Sequence, residues 1–138
     1  MCVSCVSYAQ TGVRERVVFY NTENLFDTRN DTLTADDDFT PRGKQHWNRE
    51  RYTRKLLNIS KVLSSLGAGN FPLLIGLSEV ENRDVVVDLV NKTVLADGNY
   101  GIVHADSPDA RGIDVALLYR KDSFRLLHNA FFPVRLKS

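Results

Sequence analysis

The sequence predicts an α/β fold in which at least two strands run parallel. Three observations carry that prediction. The β-branched and aromatic run Val17-Val18-Phe19-Tyr20 and the apolar run Pro72 to Leu77 (PLLIGL) both read as strands. Between them Tyr52, Leu56, Ile59, Leu63 and Leu66 recur at spacings of four, three, four and three, one face of a helix. A strand, a crossover helix and a second strand make a βαβ unit, whose strands run parallel.

Each element follows from its own residues. The first strand comes after the charged Arg14-Glu15-Arg16 and ends at Asn21. Thr28 to Asn48 is a long polar loop holding Asp31, Asp36-Asp37-Asp38, Pro41 and Gly43; loops of that length inside compact domains are functional or mobile. Asn48 caps the helix, and Gly67 and Gly69 stop it. The PLLIGL run closes on Ser78-Glu79 and suggests a strand buried on both faces. Asn82 caps a second helix through Leu95, with Val86, Leu89, Val90 and Thr93 at helical spacing. The triplet Val85-Val86-Val87 makes a strand the competing assignment. Gly98 ends that segment. Tyr100 to Ala105 and Ile113 to Tyr119 read as strands around the loop Asp106 to Gly112, and Ser123 to Val134 as one or two final strands.

The 138 residues are 43% hydrophobic and 25% charged, a globular composition, and at roughly 150 residues per domain they make one domain or part of one. A net charge of +1, from 18 basic and 17 acidic residues, excludes a basic nucleic-acid coat, so phosphate contacts must come from a local cluster. No apolar run approaches the roughly 18 residues of a membrane span. Both cysteines, Cys2 and Cys5, lie in the first five residues, which excludes a disulfide framework and leaves weak support for zinc. Met1 to Gln10 is uncharged, small and apolar, with Ser7 and Ala9 at the −3 and −1 positions of a cleavage site. Residues 1–12 are therefore expected to be the remnant of an export signal, placing the protein in the periplasm or outside the cell.

Asn21 and Glu79 end two parallel strands at the same rim, where open α/β sheets bind ligands. A carboxylate ending a buried strand is costly unless something pairs with it, and hard divalent cations take carboxylate oxygens together with water and phosphate. On spacing alone, Glu79 pairing with an arginine or capping the helix near Asn82 stays open. Glu23, two residues past Asn21, projects toward the same region. Asn21 suits holding a phosphate oxygen or a carboxylate, with a turn residue as the alternative. Pro41 to Lys55 gathers Arg42, Lys44, Arg49, Arg51, Arg54 and Lys55 around Trp47 and Tyr52. This stretch either grips a phosphodiester and stacks a base or is a solvated helix face paired with Asp36-Asp37-Asp38. Arg111 is a candidate phosphate ligand, and Asp114 either orients a catalytic side chain or pairs with Arg111. His46, His104 and His128 show no spacing of a metal site or triad.

Together these segments resemble one family. Val18-Phe19-Tyr20-Asn21-Thr22-Glu23-Asn24-Leu25-Phe26 resembles the opening strand motif of the endonuclease/exonuclease/phosphatase superfamily, the deoxyribonuclease-I-like fold. Leu74-Ile75-Gly76-Leu77-Ser78-Glu79 resembles its second motif, a buried strand ending in the metal-binding glutamate. Arg111-Gly112-Ile113-Asp114-Val115-Ala116-Leu117-Leu118-Tyr119 is similar to the strand by which the family's sheet continues. The opening Asn-x-Glu-Asn-Leu-Phe-Asp is similar to that of an exported bacterial subgroup. The resemblance implies a four-layer α/β sandwich, two mixed sheets face to face with helices outside. It implies metal-assisted attack of water on a phosphodiester or phosphomonoester, nucleic acid being one candidate substrate. Glu79 would be the principal Mg2+ ligand, with Mn2+ able to substitute. Asn21 would position the metal site and the scissile phosphate, and Glu23 would occupy an acidic position near the metal.

The family also needs a later histidine, an Asp-x-Asn motif and a terminal Asp-His pair, none of which is found up to Ser138. Residues 13–138 are therefore expected to be the amino-terminal half of such a domain, with the general base elsewhere, one apolar sheet face uncovered and no turnover by this chain alone. A competing expectation is a non-catalytic exported module that uses the same half-fold for binding.

Overall fold

The computed structural model describes residues 15–67 and 70–132. The expected export segment, Cys2, Cys5 and Gly69 lie outside the described residues. Four strands, β1 (Val17–Leu25), β2 (Leu74–Val80), β3 (Tyr100–Ala105) and β4 (Asp114–Arg120), form one mixed sheet in the order β1-β2-β4-β3. β1 and β2 are parallel, joined through α1 (Arg49–Ser65) as the βαβ reading requires. β4 runs antiparallel to both β2 and β3. The carboxyl ends of β1, β2 and β3 thus meet the start of β4 along one edge of the sheet.

Local chemistry explains both helices. Asn48 is extended, and its side-chain oxygen accepts the Arg51 N–H at 3.0 Å, satisfying one orphan donor of the first turn. The buried stripe of α1 is Tyr52, Leu56, Ile59, Ser60 and Leu63; Leu66, the last residue of the sequence pattern, is the exposed C-cap. Asn82 caps α2 (Arg83–Asn91) in the same way through Val85 N–H. The valine triplet is helical because the cap and the buried set Val85, Val86, Leu89 and Val90 agree on one face. The helix ends at Asn91, short of Leu95, because Thr93 turns extended and its hydroxyl accepts the Leu95 N–H, opening a 3-10 turn over Val94–Gly98.

The core lies between these helices and one face of the sheet, where Ile75, Leu77, Ala116, Leu118 and Tyr100 meet the helical stripes. The opposite face is open. Val17 and Phe19 are 73% and 74% exposed, and Val115 and Leu117 also face outward. β2 is accordingly buried on one face and half-buried on the other, not buried on both. Two glycines shape the outer surface. A Cβ at Gly76 would lie 2.9 Å from the Phe19 ring, and one at Gly101 would lie 2.2 Å from the Tyr119 ring. Each glycine is the register partner of the aromatic residue above it, so the rings lie across bare backbone.

Two expectations change. The polar loop before α1 is packed: Phe26 stacks on Phe39 with ring centroids 4.3 Å apart, and Trp47 donates its indole N–H to the Phe26 carbonyl at 2.9 Å. No strand forms over the described part of Ser123 to Val134, up to Phe132. β4 ends in a turn in which the Ser123 and Phe124 N–H groups both donate to the Arg120 carbonyl, and the described chain beyond it pairs with no strand. Among the described residues no helix is long and apolar enough to cross a membrane.

The two faces make opposite predictions. Leu77→Ala should cost about 2–5 kcal/mol in urea unfolding, and Val17→Thr should stay within about 0.5 kcal/mol. Equal costs would refute the one-sided core.

Candidate active site

The β1–β2 ladder pairs Asn21 with Ser78 and then breaks, resuming at Leu25 and Val80. Three residues of β1 span what one residue, Glu79, spans in β2. Against β4, Ser78 faces Val115 and Val80 faces Asp114, so Glu79 is the extra residue of a β-bulge. Its φ is 60°, and across the gap Glu23 and Asn24 have φ of 54° and 63°. Three non-glycine residues in the left-handed region carry a strain of about 1–3 kcal/mol each. Such strain persists where the surroundings over-determine it.

The surroundings are specific. Asn21 Nδ2 donates to Glu79 Oε1 at 3.1 Å, and the Asn24 N–H donates to Oε2 at 3.2 Å. The Asn21 side-chain oxygen accepts the Glu23 N–H at 2.7 Å. Thr22, 2% exposed, places its hydroxyl 2.9 and 2.8 Å from the carbonyls of Ser78 and Glu79, filling the broken ladder. From α1, Lys55 Nζ donates to the carbonyls of Glu23 and Asn24 at 2.5 and 3.1 Å. The same ammonium lies over the Trp47 ring, 5.6 Å from its centroid. Burial lowers the Lys55 pKa, against the opposing pull of Glu23 and Glu79. Beyond the bulge, Glu81 accepts the Asp27 N–H at 2.6 Å. Burial chiefly, with Asp27, Asp36 and Asp31 adding to it, pushes the Glu81 carboxyl up to about 7.

A second group sits at the far end of the same edge. His104 of β3, whose side chain is 4% exposed, has Nε2 3.0 Å from Asp114 Oδ2 and Nδ1 3.9 Å from Asp106 Oδ1. Asp114 also accepts the Ser107 N–H at 2.6 Å. The loop between β3 and β4 is tied down by Ser107 Oγ donating to the Ile113 carbonyl and by Ala35 N–H donating to the Ala110 carbonyl. Gly112, at φ 69°, closes against Thr34, where a Cβ would meet the Thr34 side chain at 2.8 Å. Arg111 is exposed and forms a two-nitrogen pair with Asp109. That pairing, with the Arg111 N–H, holds the Asp109 carboxyl down at about 2.

The structure thus brings Asn21 and Glu79 together, and among the described residues Glu79 neither pairs with an arginine nor caps α2. Glu23 shares their turn but is exposed, and its described contacts are made by its main chain. Asp114 lies beside His104 without an aligned hydrogen bond, and it does not pair with Arg111. Trp47 and Tyr52 are buried, Tyr52 donating to Asp88, so neither ring is free to stack a base. Arg54 pairs with Glu50, and Asp36, 1% exposed, accepts the Asp31 N–H, so the acidic triplet is not the partner of the basic stretch. The sequence placed Lys55 only among the charges of the basic stretch, gave Asn24 no role of its own and showed no metal-site or triad spacing for His104. For His104 a signal was present: it shares the inward parity of Tyr100 and Ile102 in β3, where a histidine needs a polar partner.

The fold and this edge define a mixed α/β protein with a carboxylate held on a strained turn at the strands' carboxyl ends. The chain belongs to the Endonuclease/Exonuclease/phosphatase family, whose model matches residues 16–137. No curated protein and no solved structure matches it. The family places the chain among phosphodiesterases, nucleases and phosphatases, which are generally dependent on divalent metal.

Because the Arg111 side chain is the larger cause of the Asp109 shift, Arg111→Ala should raise the Asp109 titration from about 2 toward 3.8. The rise should be incomplete, since the backbone donor remains. Carboxyl NMR reads it directly, and an unmoved Asp109 would show that the pair does not form in solution.

Proposed function

We propose that this chain forms the metal-binding side of a Mg2+-dependent phosphoesterase, exported and built on the deoxyribonuclease-I-like four-layer sandwich, of which residues 13–138 are the amino-terminal part. The single observation that carries the reading is the Glu79 carboxylate, turned out of its strand by a bulge and held by Asn21 and Asn24. The donor set fits the ion. Each Glu79 oxygen accepts one hydrogen bond in the structure and keeps lone-pair capacity for a cation. Oxygen ligands with room for water and phosphate are what Mg2+ takes, and Mn2+ accepts the same set. Glu79 would hold the ion, with the exposed Glu23 carboxylate on the same turn as a further oxygen donor. The bound cation supplies charge stabilisation at the phosphate undergoing attack.

The chain's own residues do the rest. Asn21 orients Glu79 and presents its amide toward the phosphate. Lys55 neutralises the two carbonyls that the strained turn exposes and keeps the Asn24 N–H aimed at Glu79. Arg111 is the phosphate-binding cation, released from or shared with Asp109. Among the described residues no histidine hydrogen-bonds to Asn21, Glu79 or Arg111, so in this reading the water-activating base belongs to another part of the domain. Phosphate esters are the substrate class, nucleic acid among them.

Calorimetric titration of Mg2+ into the chain tests the reading. Binding should weaken at least about tenfold in Glu79→Gln, a loss of about 1.4 kcal/mol, and the 138-residue chain should not hydrolyse a nitrophenyl phosphodiester. Indifference to Mg2+ would favour the non-catalytic binding module. Mg2+-dependent hydrolysis that disappears in Glu79→Ala would overturn the assignment of the base to another part.

A further inference from the structure

We propose that His104, Asp106 and Asp114 form a second divalent-cation site, suited to Zn2+, that locks the loop between β3 and β4. The site is separate from the Glu79 turn and uses none of its residues. One ligand atom from each of the three side chains can be chosen so that all lie within 4.8 Å of one another. Asp106 now lies nearer Nδ1, 3.9 Å away, so its exposed side chain would swing toward Nε2 for one ion to take all three.

The observation pointing to a ligand is the imidazole itself. The His104 side chain is 4% exposed and Asp114 is 5% exposed. Nε2 and Oδ2 are 3.0 Å apart, yet Nε2 has no hydrogen-bond partner among the described residues. A buried ring nitrogen beside a buried carboxylate oxygen but not directed at it leaves its hydrogen-bonding capacity unused, which is unfavourable. Zn2+ binds imidazole nitrogen at about 2.0–2.1 Å and carboxylate oxygen at about 2.0–2.2 Å, so adjacent ligands around it stand roughly 3.0–3.4 Å apart. The Nε2–Oδ2 separation of 3.0 Å needs only a slight opening to admit the ion. One nitrogen and two carboxylate oxygens suit Zn2+ among common divalent cations, with water completing the shell. Asp106, 92% exposed, leaves that open side to solvent.

The surrounding bonds fit a ligand role for Asp114. Its other oxygen accepts the Ser107 N–H, which fixes the carboxylate plane as outer-shell donors do around metal ligands. All three candidate ligands flank the loop whose tip carries Asp109 and Arg111, so an ion there would join the end of β3 to the start of β4 and hold that loop.

The test uses the full chain with Cys2→Ser and Cys5→Ser, and with Glu79→Gln, so that neither thiols nor the proposed Mg2+ site compete. ZnCl2 is titrated calorimetrically while the histidine ring nitrogens are followed by 15N NMR. One equivalent should bind, the His104 ring signals should move, and those of His46 and His128 should not. His104→Ala and Asp106→Asn should each weaken binding at least about tenfold. Asp106 is exposed, so its variant stays informative if loss of His104 unfolds the chain. Absence of Zn2+ uptake, uptake unchanged by Asp106→Asn, or ring shifts at His46 or His128 in place of His104 would overturn the proposal. Because Glu79 is already replaced, none of these outcomes depends on the phosphoesterase reading.

Discussion

The hydrogen-bond ladder between β1 and β2 stops after Asn21 and Ser78 and resumes at Leu25 and Val80, and the gap organises what lies around it. Backbone groups released from a ladder inside a sheet need new partners. Thr22 supplies a hydroxyl to the two carbonyls on the β2 side, and Lys55 supplies an ammonium to the two on the β1 side. With those satisfied, the Asn24 N–H and the Asn21 amide are left to converge on one carboxylate. The strain of Glu23, Asn24 and Glu79 is thereby offset by bonds that exist only in this arrangement.

The support extends outward from the gap. Lys55 reaches the turn because it rides on α1, which Asn48 caps and whose buried stripe anchors it to the sheet. Trp47, just before that helix, packs on Phe39 and bonds the Phe26 carbonyl, fixing the chain where it leaves β1. Arg51 and Lys55 both lie over its ring. The basic, aromatic character of this stretch is therefore part of the support for the turn, with charge held close against an indole that is itself buried.

How much of this the sequence discloses depends on how local each cause is. The α1 stripe and the caps at Asn48 and Asn82 are legible because spacing and capping act within a few residues, and the parallel βαβ unit they imply brings Asn21 and Glu79 to one rim. The left-handed turn at Glu23 and Asn24 is not, since neither residue is a glycine and the conformation is held by Lys55, 32 and 31 positions away, and by Glu79, 55 positions from Asn24. His104 and Asp114 meet only once the β3–β4 register is set, and Trp47 is hidden by its charged neighbours. Over the described part of Ser123 to Val134 no strand forms, because local alternation does not supply a pairing partner. The family match supports divalent-metal dependence only as a property of the class.

The bulge also sets the phase of β2. Before it, Ile75 and Leu77 point into the core; continued alternation would send Glu79 inward and Val80 outward. With one residue inserted, Val80 is buried at 0% exposure, and Glu79 turns to the edge. The strand behaves as two short strands of opposite parity joined at a single residue. Its tolerance is therefore one of substitution and not of length. Removing Glu79 itself would make the ladder against β4 regular and keep Val80 in the core phase, while Thr22, Glu23 and Asn24 of β1 would face no residue at all and the carboxylate would be gone.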